Sequence, residues 1–307
     1  MRSWFARRTS RAADWPEPLL TAAKGDRTVS VVMPARNEEA TVGDVVRCVA
    51  GLAARTGLVD EIVVMDSGST DRTAAVAAAA GATVHAVGDV LPSEGDRPGK
   101  GEALWKSLAV TTGELIVFLD ADLVEFGPHF VTGLLGPLLT DPDVRLVKGC
   151  YDRPHGGRVT ELVARPLLNH YLPDLAYLVQ PLAGEYSARR DLLVTLPFAG
   201  GYGVEIGLLV DTYRAAGLDA IAQVDLGRRD HRHQDELALG RMAAEVHLAL
   251  LSRVEGRPAG PAGLTQFARD ADGQWRPVPV TVDVTDRRPF STICANSVTV
   301  TQGLPIG

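Results

Sequence analysis

Cysteine is scarce in this 307-residue chain, which carries only Cys48, Cys150 and Cys294. Three scattered thiols make neither a disulfide framework nor a thiolate zinc site, so a reducing cytoplasm is the expected compartment. Long apolar runs are also missing. No window approaches the ~18 consecutive apolar residues of a membrane span. The N-terminus, MRSWFARRTSR, is basic, but no apolar stretch follows it as a secretory leader requires. Trp4, Phe5 and Trp15 among arginines suggest a disordered or partner-packed arm. Positive charge is in deficit: 31 lysines and arginines face 38 aspartates and glutamates, a formal net charge of −7. That argues against a general nucleic-acid binder, which draws on basic excess. A small anionic ligand needs only local positive groups and stays open. There is no G-x-G-x-x-G after the first strand and no G-x-x-x-x-G-K-[ST], which disfavours a dinucleotide oxidoreductase and a P-loop enzyme.

What the chain does have is a core. Apolar residues make up 46% and charged residues 22%, the balance of a globular protein of one large α/β domain or two ordinary ones. Residues 28–34 (TVSVVMP), 61–66 (EIVVMD), 83–87 (TVHAV) and 114–120 (ELIVFLD) read as buried strands. Between them, 38–56, an Ala-rich stretch from Thr70 to Ala80, and 102–111 read as helices, with Thr70 as a candidate N-cap. Residues 88–100 read as an exposed loop. Alternating strands and helices predict a mostly parallel sheet flanked by helices. Further strands are expected at 145–151 and 220–226, a helical stretch broken by Pro166 and Pro173 at 160–179, and a helix at 236–254. The expected organisation is an arm (1–27), a first half (28–145), a second half (146–255) and a C-terminal extension (256–307).

Ligands of parallel sheets bind beyond the carboxyl ends of the strands, and the polar clusters stand there: Ala35-Arg36-Asn37-Glu38, Asp66-Ser67-Gly68-Ser69 and Asp120-Ala121-Asp122. Two aspartates spaced i, i+2 after a buried strand suit a hard divalent cation, which takes oxygen ligands and neutralises a diphosphate. The tripeptide alone means little. Asp270-Ala271-Asp272 repeats it and Asp141-Pro142-Asp143 has its spacing, and neither follows a buried strand; both read as solvated turns. Gly156-Gly157-Arg158-Val159-Thr160 precedes a helical stretch and can form an anion cradle, or equally a glycine turn with a threonine cap.

The ensemble resembles the GT-A glycosyltransferases, and within them the glucosyl-3-phosphoglycerate synthase family. The stretches that carry the likeness are SVVMPARNEEATV (30–42), VMDSGSTDRT (64–73), RPGKGEALWKSL (97–108), VFLDADL (117–123), GGRVTELVARPLL (156–168), QPLAGEY (180–186) and GYGVEIGLLVDT (201–212). The resemblance implies a GT-A fold and retaining transfer of glucose from UDP-glucose to 3-phosphoglycerate with Mg2+ or Mn2+, by a homodimer with no membrane span. It implies a nucleotide-sugar site at Pro34, Ala35, Arg36, Glu38, Ser67, Lys100, Asp120, Ala121, Leu182, Glu205 and Arg229. Acceptor contacts fall to Gly157, Arg158, Val159, Thr160 and His233, and metal ligation to Asp122 and His231. Lys100, Asp122 and Glu205 are the candidate catalytic residues. Glu205 is expected to position the sugar rather than attack it, because front-face transfer lets the leaving phosphate take the acceptor's proton. The sequence departs from the family pattern in a short segment between Tyr151 and Gly156, in His233 where asparagine is expected, and in the tail after about residue 270. A mannosyl-transferring relative is the nearest alternative. A sugar nucleotidyltransferase is the next, although it would carry a Gly-rich basic loop after the first strand.

Overall fold

The computed structural model describes residues 2–152, 157–229 and 235–293. Its centre is an eight-stranded sheet. In chain order the strands are β1 (Thr9–Arg11), β2 (Val29–Ala35), β3 (Glu61–Asp66), β4 (Thr83–Ala86), β5 (Leu115–Phe118), β6 (Leu146–Asp152), β7 (Tyr186–Arg189) and β8 (Ile221–Arg228). Their spatial order is β1-β8-β6-β7-β5-β2-β3-β4. All neighbours pair in parallel except β7, which runs antiparallel to both β5 and β6. The central strands are apolar almost throughout because helices cover both faces. One buried cluster gathers Trp105, Phe118, Tyr186 and Phe198. The other gathers Met33, Leu52, Phe130 and Leu135.

Three sequence expectations change. The N-terminal arm, expected to be disordered or packed on a partner, packs on its own chain. A helix (Arg2–Arg8) leads into β1, which extends the sheet by pairing with β8. Trp4 is buried and donates to Leu218 O at 3.0 Å, and Trp15 donates to Ser10 Oγ at 2.9 Å. The aromatics supply apolar burial to an otherwise basic segment. The Ala-rich helix starts at Thr73 rather than Thr70, because Asp71 accepts the Thr73 amide at 2.9 Å and organises the first turn. Pro166 does not break its segment. It is the second residue of a helix (Arg165–Tyr171) that runs on directly from a π-helical turn (Thr160–Ala164). A helix at His129–Thr140, carrying Pro137, is new. The decoy turns behave as expected: Asp270 accepts the amides of Asp272 and Gln274, and Asp141 that of Asp143.

After a long helix (Glu236–Glu255), β9 (Ala262–Arg269) and β10 (Trp275–Val282) form a separate antiparallel hairpin. The chain then returns to the body. Val284, Arg287 and Phe290 are buried, and Arg287 bridges backbone to backbone with Phe198.

Candidate active site

The site lies where the sheet order turns, beyond the carboxyl ends of β2, β3 and β5. Side-chain bonds stitch the loops after β2 and β3 together. Asn37, in a left-handed conformation (φ 58°), donates its amide to Ser69 Oγ at 3.0 Å and accepts the Thr70 amide on Oδ1 at 2.8 Å. The Glu38 amide donates to Thr73 Oγ1 at 2.7 Å. The loop after β5 is fixed by Thr41, whose hydroxyl donates to Ala121 O at 2.7 Å. A wall built this way keeps its shape without a ligand, which is the requirement for binding without a large ordering cost.

Every sequence-predicted site residue among the described ones lines one cleft of about 1020 Å³: Pro34, Ala35, Arg36, Glu38, Ser67, Lys100, Asp120, Ala121, Asp122, Gly157, Arg158, Val159, Thr160, Leu182, Glu205 and Arg229. His231 and His233 lie outside the described residues. The volume suits a nucleotide sugar and a small acceptor together. The nucleotide-side residues gather at the ends of β2, β3 and β5. Gly157–Thr160 approach from the second half, where Arg158 is exposed at the start of a helical turn.

Charge is concentrated at the floor. Lys100, first residue of the helix Lys100–Val110, bonds Asp120 Oδ1 and stands 2.7 Å from Glu205 Oε1. Burial opposes the charged ammonium, but Asp120 and Glu205 outweigh it and hold Lys100 well above the usual lysine range. Burial likewise opposes the Asp120 carboxylate, yet Lys100 and Arg229 pull it below the usual carboxylate range. Both groups therefore stay ionised at neutral pH. Glu205 is buried and already paired to a lysine, an arrangement suited to orienting a ligand's hydroxyls rather than to attacking carbon.

Sequence reasoning named Arg229 for the nucleotide sugar but missed Tyr151 and Glu185, which support it beneath this floor. Arg229 reaches Asp120 Oδ2 at 2.9 Å, Asp122 Oδ1 at 3.2 Å and the Tyr151 hydroxyl at 2.8 Å. Tyr151 in turn donates to Glu185 Oε2 at 2.7 Å. Burial pushes the Glu185 carboxyl up, partly offset by Arg229. Gly184 lies against Asp120 so closely that a Cβ there would meet Oδ2 at 2.4 Å. Lys148, in the middle of β6, is buried and donates to Ala183 O at 2.6 Å, with its ammonium 4.6 Å from the Tyr186 ring centroid. One signal was available: Lys148 is a charged residue inside an apolar strand, and QPLAGEY places a glutamate beside the glycine. The Tyr151–Glu185–Arg229 assembly joins distant segments, and no local spacing announces it.

Asp120 and Asp122 offer carboxylate oxygens at one strand end, a donor set that fits a hard divalent cation. Among the described residues no third His, Cys, Asp or Glu completes such a cluster.

A family model described as glycosyl transferase family 2 matches residues 30–178. The glucosyl-3-phosphoglycerate synthase of Mycolicibacterium smegmatis is 51% identical over 300 residues, covering 94% of this chain and 98% of that protein. The Mycobacterium tuberculosis glucosyl-3-phosphoglycerate synthase, solved with Mn2+, UDP-glucose and phosphoglyceric acid, superposes with a TM-score of 0.85 at 50% identity, covering 93% of this chain and 98% of that one. It has also been solved with Mg2+ and UDP. The Rubrobacter xylanophilus mannosyl-3-phosphoglycerate synthase superposes with a TM-score of 0.89 at 39% identity, covering 95% and 99%.

Proposed function

The chain belongs to the glucosyl-3-phosphoglycerate synthase family of glycosyl transferase family 2, and from that membership we propose that it transfers glucose from UDP-glucose to 3-phosphoglycerate with Mg2+ or Mn2+. One observation carries the reading. A single cleft joins the strand-end residues Pro34, Ser67 and Asp120 to the Gly157–Thr160 segment, so a donor and a separate small anion can meet in it.

The roles proposed follow from position in the cleft, and for His231 and His233, outside the described residues, from the family resemblance alone. Pro34, Ala35, Arg36, Glu38 and Ser67 line the wall for the uridine end. Asp120 and Ala121 face the ribose region, with Leu182 beside them. Lys100 neutralises a donor phosphate, and Glu205 orients the sugar hydroxyls. Gly157, Arg158, Val159, Thr160 and His233 hold the acceptor. Asp122 and His231 hold the cation, which when bound neutralises the charge that develops on the leaving diphosphate. Arg229 keeps Asp120 and Asp122 oriented. No protein nucleophile is needed if the leaving phosphate accepts the proton of the acceptor hydroxyl, which gives retention at the transferred carbon.

The mannosyl reading keeps one specific support, the superposition on the Rubrobacter enzyme, and the donor sugar separates the two. Offering UDP-glucose and GDP-mannose in parallel with 3-phosphoglycerate and Mg2+ tests both; glucosyl product from UDP-glucose is expected, and product from GDP-mannose alone would reverse the assignment. We also propose a homodimer that works in the cytoplasm. No helix among the described residues is long and apolar enough to cross a membrane. The hairpin β9–β10 rests on the Glu236–Glu255 helix, with Gln266 Nε2 donating to Leu237 O at 3.0 Å, and leaves Phe267 and Trp275 each 60% exposed, apolar surface suited to a second copy of the chain. Sedimentation of the intact chain beside Trp275→Glu tests this, a dimer being expected from the first and a monomer from the second.

A further inference from the structure

Lys100 and Glu205 meet across the cleft although each opens a different helix, Lys100–Val110 and Val204–Ala216. The C-terminal strap lies against both helix starts outside the cleft, and Arg287 makes contacts on each side. Arg287 is 6% exposed and forks onto the buried carboxylate of Glu102, with Nε to Oε2 at 2.7 Å and Nη2 to Oε1 at 2.6 Å. Glu102 is two residues from Lys100. The same guanidinium donates to Glu94 O at 2.7 Å and Gly95 O at 3.3 Å, the start of the loop that delivers Asp96–Gly99 to the cleft. Its face lies over the Trp105 ring, 4.9 Å from the centroid. The Arg287 amide donates to Phe198 O at 2.7 Å, and the Phe198 amide returns a bond to Arg287 O at 3.1 Å.

Phe198 opens the segment that leads into Glu205. Its successors press on the Lys100 helix: a Cβ on Gly101 would stand 2.0 Å from Ala199 O, so only glycine permits that approach. Arg287 thus holds the Lys100 helix with its side chain and the Glu205 segment with its backbone. A planar fork fixes direction as well as distance, which a lysine ammonium does not.

We propose that Arg287 is a positioning residue for glucosyl transfer, setting the Lys100–Glu205 spacing that receives the donor's phosphate and sugar. The proposal rests on the donor reading above. Arg287 touches neither ligand and acts through the two helix starts.

The test uses full-length Arg287→Lys and Arg287→Ala, with Arg288→Ala as a control from the same strap whose side chain pairs with Glu94. Affinities for uridine monophosphate and for UDP-glucose are measured with Mg2+, alongside kcat and both KM values. Uridine monophosphate reports mainly the nucleotide wall, and UDP-glucose adds the cation site together with Lys100 and Glu205. In both Arg287 variants kcat falls about 10- to 100-fold, the size of effect that a shift of roughly an ångström produces. The advantage of UDP-glucose over uridine monophosphate shrinks about tenfold or more, while acceptor KM stays within about twofold. Arg288→Ala leaves all of these unchanged. Equal weakening of both nucleotides, or a lower melting temperature with intact kinetics, overturns the proposal. So does an Arg287→Lys chain that does not fold, because the contact would then serve the whole fold. A wild-type protein that fails to glucosylate 3-phosphoglycerate overturns the donor reading itself and this inference with it; an active wild type with unaffected variants overturns the inference alone.

Discussion

Arg229 holds both strand-end aspartates with a single nitrogen, Nη2, 2.9 Å from Asp120 and 3.2 Å from Asp122. The two carboxylates are not equivalent, however. Asp120 is also bound by Lys100, whereas Asp122 keeps more of its side chain exposed, 32% against 21%. On this geometry we propose Asp122 as the carboxylate that takes the cation. Asp122→Ala should therefore abolish transfer and remove the cation dependence of UDP-glucose binding, read by calorimetry with and without Mg2+. Full activity in excess chelator would contradict the cation's role.

Arg158 lines the cleft from the Gly157–Thr160 segment rather than from the strand ends that carry Pro34, Ser67 and Asp120. A hydrogen bond to a charged group contributes about 1.5–3 kcal/mol, so Arg158→Ala should raise the KM for 3-phosphoglycerate roughly 10- to 150-fold. UDP-glucose affinity should barely move. Equal loss on both substrates would make the segment a structural element and withdraw the main local support for a phosphorylated acceptor.

Gly184 gives a test from packing alone. Alanine there would place a Cβ 2.4 Å from Asp120 Oδ2, closer than real contacts allow, and Asp120 is tied to Lys100 and Arg229. The carboxylate must move and carry both cations with it. Gly184→Ala is expected to fold, since the clash is with one side chain, and to lose about 100-fold or more in kcat, by the sensitivity of transfer to ångström misplacement. Activity within a few-fold of wild type would show that the floor tolerates rearrangement.

Lys148 gives a pH test. Burial lowers its pKa from 10.5 to about 8, against the pull of Glu205 and despite Glu185 and Asp120, with Lys100 adding to the shift. Between those two values the unfolded chain holds the proton and the folded chain does not, so stability rises with pH across that window; below it both states are protonated and the penalty is constant. The penalty is about 3 kcal/mol from the size of the shift. Urea midpoints of the wild type and Lys148→Met, compared at about pH 7.5 and about pH 10, should show the wild type gaining relative to the variant. A constant difference would place the titration elsewhere.

The parts legible in the sequence were those that local chemistry determines. Buried parallel strands announce themselves by unbroken apolar runs, so β2, β3, β5 and the polar clusters after them were read within a residue or two. The helix His129–Thr140 was not, because two glycines and Pro137 depress its local propensity while tertiary packing pays for it: at Gly136 the Trp15 ring fills the space a side chain would take. Trp15 itself belongs to the arm that was expected to be disordered or partner-packed. The Tyr151–Glu185–Arg229 support and the Arg287 strap were illegible for a related reason. Each is a contact between segments with |i−j| of 34 to 185; the resemblance singled out Arg229 for the nucleotide sugar, but nothing local announced Tyr151, Glu185 or Arg287.

The central claim is tested most directly by the product. The protein is incubated with UDP-glucose, 3-phosphoglycerate and Mg2+, and the reaction is followed by mass spectrometry and by NMR of the anomeric proton. The account predicts a glucosyl-3-phosphoglycerate of α configuration, matching that of the donor, formed with one UDP per product and lost on chelation. No transfer to 3-phosphoglycerate, or transfer with pyrophosphate rather than UDP released, would contradict it.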